Sequence, residues 1–159
     1  MAWFEGFEAK VHELNGVRLF ARTGGRTDGP PLLLLHGFPQ THAIWHRVAL
    51  ALKERFFLVM PDLRGYGDSD KPVGEPDHAN YSKRTMAADM VALMQSLGHA
   101  RFGLVGHDRG GRVAHRLALD HPTQFLRQPD LNLDAHTAGT ASLLLNPNHL
   151  WGDKYRRVG

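Results

Sequence analysis

The sequence predicts one α/β domain with a mostly parallel sheet flanked by helices. Three short apolar segments without alternating polarity support this fold class, and stretches with helical periodicity lie between them. Strands that are covered on both faces give such continuous apolar runs, and parallel strands are usually joined by a helix. A length of 159 residues, with 42% apolar and 22% charged residues, fits a single globular domain.

The first elements form a predicted hairpin. Polar and apolar residues alternate over residues 10–14 and 17–21, and Asn15-Gly16 between them favours a primed two-residue turn. The buried strands are then predicted at residues 32–35, 56–60 and 102–105. We expect the hairpin to form an antiparallel edge beside this parallel set.

Three helices are predicted from periodicity and from end signals. The first covers residues 43–53, with apolar positions at Ile44, Val48, Leu50 and Ala51. The second follows Ser82, a residue type that favours the N-cap, and ends at Gly98. Its methionine stripe predicts packing against the core. The third includes residues 113–118 and ends near Pro122.

The composition excludes several classes of function. Without cysteine, the chain can form no disulfide, thiolate zinc site or iron–sulfur cluster. The 19 basic and 16 acidic residues are spread along the chain without runs, so nucleic-acid binding is not expected. The longest uninterrupted apolar strings, such as residues 56–60, contain only five residues, which is too short for a signal peptide or a membrane span. We therefore expect a cytoplasmic protein that uses no cofactor.

The strongest chemical signal is the sequence Gly-His-Asp-Arg-Gly-Gly at residues 106–111. It lies between a predicted buried strand and a predicted helix, and its glycines permit a tight turn that lifts the central side chain above the sheet. This arrangement resembles a nucleophile elbow, in which the central side chain would be the carboxylate of Asp108. An aspartate can displace halide from a saturated carbon and leave an ester that water opens at its carbonyl.

Two further segments accompany this turn. The first buried strand is followed by His-Gly-Phe-Pro at residues 36–39, and the second by Pro-Asp-Leu-Arg-Gly-Tyr-Gly-Asp-Ser at residues 61–69. Together the three motifs resemble the N-terminal half of an α/β-hydrolase, specifically a haloacetate (fluoroacetate) dehalogenase. The resemblance extends to about Pro122.

This resemblance implies roles for four residues. Asp108 would be the nucleophile, and Arg109 and Arg112 would hold the carboxylate of a small 2-halo acid from one face of a helix. Relatives that take neutral haloalkanes or epoxides usually have tryptophan where this chain has Arg109. The main-chain N–H groups of Phe38 and Arg109 would form the oxyanion hole for ester hydrolysis.

The histidines of this region are expected to be structural. The resemblance implies such a role for His36 and His107. His42 and His46 have the spacing of a helical metal pair, but no acidic partner or third ligand is placed near them in the sequence. A packing or surface role is predicted for both, and no metal site is expected.

The last third of the chain departs from the family. The parent fold continues through further strands, a helical cap and a late catalytic histidine, and none of these is recognised here. Asp134 is matched to the acidic residue that the family places after the next strand, whereas His136 and His149 lie too early to match its base. We therefore divide the chain into residues 1–126, the N-terminal part of a hydrolase core, and residues 127–159, a divergent tail that a truncated or frame-shifted gene would produce.

Three functions are compatible with these motifs. The first is a dehalogenase acting on a small 2-halo carboxylate, here as an incomplete copy. The second is an inactive fragment that associates with itself or with another chain, because missing strands and cap would leave apolar surface uncovered. The third is an epoxide hydrolase or another α/β-hydrolase. Arg109 and Arg112 favour the first of these.

Overall fold

The fold is a mixed sheet with helices on both faces. The computed structural model describes residues 3–126 and the backbone of Leu143–Leu144. The strands are β1 (Phe7–Leu14), β2 (Val17–Gly25), β3 (Pro31–Leu35), β4 (Phe57–Pro61), β5 (Gly103–Gly106) and β6 (Leu143–Leu144). Their order is β1-β2-β4-β3-β5-β6. The three central strands β4, β3 and β5 are parallel, whereas β1, β2 and β6 pair antiparallel with their neighbours.

The hairpin of β1 and β2 has the predicted turn. Leu14 pairs with Val17, and both residues between them have positive φ, 52° for Asn15 and 74° for Gly16. Two positive φ values define a type I′ turn, whose twist matches that of the strands it joins. Because β2 pairs antiparallel with β4, the hairpin forms the predicted antiparallel edge.

Three α-helices flank the sheet. They are α1 (His46–Leu52), α2 (Lys83–Ser96) and α3 (Arg109–Asp120), with short 3-10 turns at His42–Trp45, Ala79–Tyr81 and Pro122–Gln124. α2 begins as predicted, because the hydroxyl of Ser82 accepts the N–H of Thr85 at 3.1 Å. Gly98, with φ of 85°, follows its end. None of the helices in the described part of the chain is long and apolar enough to cross a bilayer.

The four apolar positions of the first predicted helix do not form a buried face. Val48 and Leu50 are 38% and 46% exposed, and the buried side chains are Trp45 and Ala49. The segment is a 3-10 turn followed by a helix of only 7 residues. A 3-10 turn has three residues per turn, so a single helical period over residues 43–53 does not apply.

Core side chains lie on both faces of β3. Leu33 and Leu35 belong to one apolar cluster with the methionine stripe of α2 and the buried residues of α3. Leu32 and Leu34 belong to a second cluster, which includes Trp45 beside α1. The continuous apolar run therefore marks a strand covered on both faces, as predicted. This rigid strand positions the loop that follows it.

Candidate active site

The turn after β5 holds Asp108 in an unusual backbone conformation, with φ of 49° and ψ of −112°. α3 begins at the next residue, so the segment is the predicted strand, tight turn and helix. Gly110 lets the start of α3 lie against β3, because a Cβ there would be 2.3 Å from the carbonyl oxygen of Leu35. The turn presents the carboxylate of Asp108 to solvent beyond the carboxyl ends of the parallel strands, where ligands bind in open α/β sheets.

The loop after β3 lies directly against this turn. The main-chain N–H of Phe38 donates to Oδ2 of Asp108 at 3.0 Å, across 70 residues of sequence. A Cβ on Gly37 would be 2.7 Å from Cβ of Asp108, so glycine is required for this approach. Arg109 is the first residue of α3, and the N–H of Arg112 donates to the carbonyl of Asp108 at 3.2 Å. The structure thus brings together four of the five site residues that the sequence indicated.

The carboxylate of Asp108 is held in its ionised form. Hydrogen bonds from the main-chain N–H groups of Phe38 and Arg109 lower its pKa, and the nearby charges of Arg112 and His107 act in the same direction. Slight burial opposes these effects without reversing them. An exposed and ionised carboxylate is the form in which aspartate acts as a nucleophile.

Two aromatic rings lie beside the guanidinium of Arg109. Its Cζ is 5.6 Å from the ring centroid of Phe38 and 6.0 Å from that of Tyr66. Tyr66 in turn packs edge-on against the imidazole of His36, with ring centroids 5.1 Å apart. Cation–π attraction of this kind contributes about 0.5–1 kcal/mol at exposed sites. These contacts favour a position of Arg109 next to the Asp108 turn.

His36 is fully buried and is bonded at both ring nitrogens. Nε2 accepts the N–H of Leu63 at 3.0 Å, and Nδ1 lies 2.9 Å from the carbonyl oxygen of Gly37, to which it donates as N–H. Burial lowers the pKa of His36, which favours the neutral imidazole that this pattern needs. The ring therefore joins the loops that follow β3 and β4, which is a structural role.

His42 has a buried acidic partner that the sequence did not indicate. Oδ1 of Asp62 lies 2.9 Å from Nδ1 of His42 and accepts the main-chain N–H of His42 at 2.7 Å. Burial raises the pKa of Asp62, but these hydrogen bonds and one from the N–H of Asp68 outweigh burial and leave the pKa below its ordinary value. His46 instead stacks on Trp3. Within the described ranges, no three acidic or histidine side chains are placed to hold a metal ion.

Sequence reasoning missed two residues near the site. Tyr66 belongs to the 61–69 motif, which the sequence singled out only as a whole. Lys83 is the first residue of α2, and its pKa is lowered by burial first and then by the charges of Arg109 and Arg112. No local pattern could have indicated Lys83, because its position depends on how α2 packs against α3.

The fifth predicted site residue, Asp134, lies outside the described residues, as do His136 and His149. The described site consists of the loops after β3 and β4, the turn after β5 and the first turn of α3. It places the carboxylate of Asp108 beside main-chain N–H donors and the guanidinium groups of Arg109 and Arg112. This combination suits attack on a small anionic substrate.

Comparison with known proteins identifies the family. The family model for the alpha/beta hydrolase fold matches residues 30–158, a range that contains the turn at Asp108 and the loops after β3 and β4. The chain belongs to this family of hydrolases, and the predicted fold class is confirmed.

The chain is similar to a fluoroacetate dehalogenase of Burkholderia sp., with 57% identity over 123 residues that cover 77% of this chain and 40% of that protein. It is also similar to a soluble epoxide hydrolase of Corynebacterium sp. (strain C12), with 45% identity over 108 residues that cover 68% of this chain and 35% of that protein. A crystal structure described as an alpha/beta hydrolase from Nostoc sp. PCC 7120 matches with a TM-score of 0.74 at 52% identity, covering 76% of this chain and 41% of that one. The chain therefore spans 35–41% of the length of these relatives.

Proposed function

We propose that the chain carries the nucleophile and the substrate-binding groups of a haloacid dehalogenase. In this function Asp108 attacks the halogen-bearing carbon of a small 2-halo carboxylate, whose own carboxylate is held by Arg109 and Arg112. The observation that carries the proposal is one arrangement: the Phe38 N–H bonded to Asp108, with both arginines on the first turn of the adjoining helix. The similarity to the Burkholderia fluoroacetate dehalogenase supports the same reaction.

The first step is displacement at a saturated carbon. A lone pair on a carboxylate oxygen of Asp108 forms the new C–O bond while the C–halogen bond breaks, and halide leaves with the bonding electrons. The guanidinium groups and the N-terminus of α3 would orient the substrate carboxylate so that the reacting carbon faces Asp108. The product of this step is an ester of Asp108.

The second step is hydrolysis of that ester. Water adds to the ester carbonyl, and the N–H groups of Phe38 and Arg109 stabilise the negative charge that develops on its oxygen. The bond between the carbonyl carbon and the alkoxy oxygen then breaks, the alkoxy oxygen takes up a proton and leaves as a 2-hydroxy acid, and the carboxylate of Asp108 is regenerated. A base must take a proton from the water, and we propose Asp134 as the carboxylate that orients this base. In this proposal residues 1–126 are the N-terminal part of a hydrolase core and residues 127–159 form a tail that diverges from it.

Alkylation of Asp108 tests the first step directly. The full chain is incubated with bromoacetate or with neutral bromoacetamide, bromide release is measured, and adducts are located by peptide mass spectrometry. We expect bromoacetate to label the peptide that contains Asp108 faster than bromoacetamide does, and Asp108→Asn to abolish the adduct.

Arg112→Met should slow labelling by bromoacetate roughly 10-fold to 100-fold, because a hydrogen bond to a charged group contributes about 1.5–3 kcal/mol. Labelling by bromoacetamide should not change. Equal reaction of the unmodified chain with both reagents would show that the proposed function is wrong.

An epoxide hydrolase is the second candidate, because the soluble epoxide hydrolase of Corynebacterium is 45% identical over 108 residues. An epoxide is neutral and gains little from the charges of Arg109 and Arg112. Labelling of Asp108 by a small terminal epoxide that is faster than labelling by bromoacetate, and insensitive to Arg112→Met, would support this candidate instead.

A further inference from the structure

His36 and Asp108 are bonded to opposite ends of one peptide group. The Nδ1–H of His36 donates to the carbonyl oxygen of Gly37 at 2.9 Å, and the N–H of the same peptide group, at Phe38, donates to Oδ2 of Asp108 at 3.0 Å. The group is trans, so its C=O and N–H lie in one plane and point in opposite directions. A rotation that turns the carbonyl away from His36 therefore turns the N–H away from Asp108.

The orientation of the His36 ring is fixed by the loop after β4. Nε2 accepts the main-chain N–H of Leu63 at 3.0 Å, and the ring of Tyr66 packs edge-on with its centroid 5.1 Å away. His36 is fully buried, so a rotated ring would leave the N–H of Leu63 without a partner, which is costly. These contacts determine where the Nδ1–H of His36 points.

A second donor holds the same carbonyl. The main-chain N–H of Gln40 donates to the oxygen of Gly37 at 3.0 Å. Two donors on one carbonyl polarise the peptide group, and this polarisation strengthens its N–H as a donor. Of the two donors, His36 is the one that a side-chain substitution can remove without altering the backbone.

We propose that His36 is a positioning residue for the reaction at Asp108, because its Nδ1–H orients the peptide group whose N–H, at Phe38, stabilises the oxyanion during cleavage of the Asp108 ester. This role goes beyond joining two loops, and it rests on the proposed function. His36 does not touch the reacting atoms and acts only through the peptide group. The oxyanion forms only when the ester is cleaved, so that step should depend on His36.

Two amide substitutions separate the two hydrogen bonds of His36. In His36→Asn the amide nitrogen takes the position of Nδ1 and can donate to the carbonyl of Gly37. In His36→Gln the amide lies one bond further along, at the position of Nε2, where it can replace only the bond to Leu63. Leu32→Val is the control for weaker core packing, because Leu32 is buried near the start of β3, away from the loop.

The first measurement is the NMR shift of the Phe38 amide proton in the full chain. The change in this shift on Asp108→Asn reports the hydrogen bond from Phe38 to the carboxylate. We expect the full change in the unmodified background, in His36→Asn and in Leu32→Val, and loss of most of it in His36→Gln. An undiminished change in His36→Gln would refute the inference.

The second measurement is the cleavage of the Asp108 ester, formed with bromoacetate, by added hydroxylamine. The nitrogen of hydroxylamine bonds to the ester carbonyl carbon, the bond from that carbon to the alkoxy oxygen breaks, and glycolate leaves with a proton from the nitrogen. Asp108 becomes a hydroxamate, so the protein need not supply a base. Peptide mass spectrometry gives the rate in the folded chain relative to the same chain unfolded in urea.

His36→Gln should lower this ratio about 10-fold to 100-fold. The loss should be smaller than for a missing oxyanion donor, because the N–H of Gln40 still holds the carbonyl. His36→Asn and Leu32→Val should retain the ratio of the unmodified chain. A purely structural role of His36 would not distinguish the two amide variants in this way.

Failure of this inference differs from failure of the proposed function. If bromoacetate forms no ester on Asp108, the proposed function fails and the role of His36 fails with it. If the ester forms but His36→Gln keeps the ratio, or both His36 variants lose it equally, the role of His36 is refuted and the proposed function stands. If His36→Gln does not fold, Asp108→Asn at its exposed position decides instead. It should shift the Nδ1 proton signal of His36 through the shared peptide group, and an unchanged signal would refute the inference.

Discussion

Gly110 lies so close to the carbonyl oxygen of Leu35 that a Cβ on Gly110 would be 2.3 Å away from it. The backbone of Gly110 belongs to the start of α3, and the carbonyl of Leu35 belongs to the end of β3. The two can move apart only if the helix separates from the sheet. Gly111 is the natural comparison, because a Cβ there would have its nearest neighbour at 3.5 Å.

Gly110→Ala should therefore destabilise the fold by about 1–3 kcal/mol, the usual cost of overpacking. Gly111→Ala should be neutral or stabilise it by up to about 1 kcal/mol, because alanine is the better helix former. Urea unfolding followed by circular dichroism compares the two variants. Equal stability would contradict the close packing described for this turn.

The ion pair between Arg64 and Asp89 gives a second prediction. Nε and Nη2 of Arg64 donate to the two carboxylate oxygens of Asp89 at 2.9 Å each, and both side chains are buried. Asp89→Ala should lower the free energy of unfolding by about 3–5 kcal/mol, because it leaves a buried guanidinium unpaired.

The double variant Arg64→Met/Asp89→Leu removes both charges and should recover much of this loss. Both variants are compared by denaturant unfolding. A double variant that is no more stable than Asp89→Ala would show that the unpaired charge is not the cause.

The pH dependence of Asp108 labelling gives a third prediction. The N–H groups of Phe38 and Arg109 lower the pKa of Asp108 below its ordinary value of 3.8. Only the carboxylate form attacks, so the rate should fall only when the pH falls through this lowered pKa. With neutral bromoacetamide, whose charge does not change with pH, labelling should stay constant from about pH 7 down to about pH 4.

At pH values above the unfolded-state pKa of Asp108, the lowered pKa also stabilises the folded state. This stabilisation is lost as the pH falls through the lower, folded-state pKa of Asp108. Phe38→Ala keeps the main-chain donor and should preserve the flat profile. A labelling midpoint above pH 4 in the unmodified chain would contradict the ionised state described here.

Tyr66 gives a fourth prediction, because its ring lies 6.0 Å from the Arg109 guanidinium. Tyr66→Leu should raise the half-saturating concentration of bromoacetate in Asp108 labelling about twofold to fivefold, because the variant loses one exposed cation–π contact. Tyr66→Phe retains the ring and should behave like the unmodified chain. The concentration dependence of labelling distinguishes them, and an equal effect of both variants would rule out the ring as the cause.

A fifth prediction concerns the fate of the ester on Asp108. Both ring nitrogens of His36 are bonded to the backbone, so this histidine has no free lone pair for water. If Asp134 and its neighbours supply no base, the adduct should accumulate to about one per chain and bromide release should then stop. Intact mass spectrometry over several hours measures this.

If the unmodified chain continues to release bromide and His136→Ala or His149→Ala stops this release, the substituted histidine is the base. The chain would then complete both steps of the reaction. Loss of release in Asp134→Asn alone would assign the orienting carboxylate. Asp108→Asn is the control, since it should release no bromide at all.

The strand, tight turn and helix around Asp108 could be predicted because their signal is local. A buried strand, a glycine-flanked aspartate and a helix follow one another within residues 102–120, and each step is fixed by neighbours in the sequence. The hairpin turn at Asn15-Gly16 is local in the same way. Such features depend little on the rest of the fold.

The features that were missed depend on contacts between distant segments. Lys83 approaches the arginines only because α2 packs against α3, and Asp62 reaches His42 across 20 residues. The single helix predicted over residues 43–53 is a 3-10 turn followed by a short helix, and Trp45, at the end of that turn, is buried; hydrophobic periodicity does not reveal such a turn. The pairing of β6 with β5 likewise could not be derived from the two leucines involved.

The 70-residue separation of Phe38 and Asp108 has a kinetic consequence. Their hydrogen bond can form only after β3 and β5 pair side by side, and pairing between strands so far apart in the chain is among the slow events of folding. Hairpin β1–β2, whose partners are adjacent in sequence, can form much earlier. The reactivity of Asp108 should therefore appear late during refolding, so that a pulse of alkylating reagent times the completion of the central sheet.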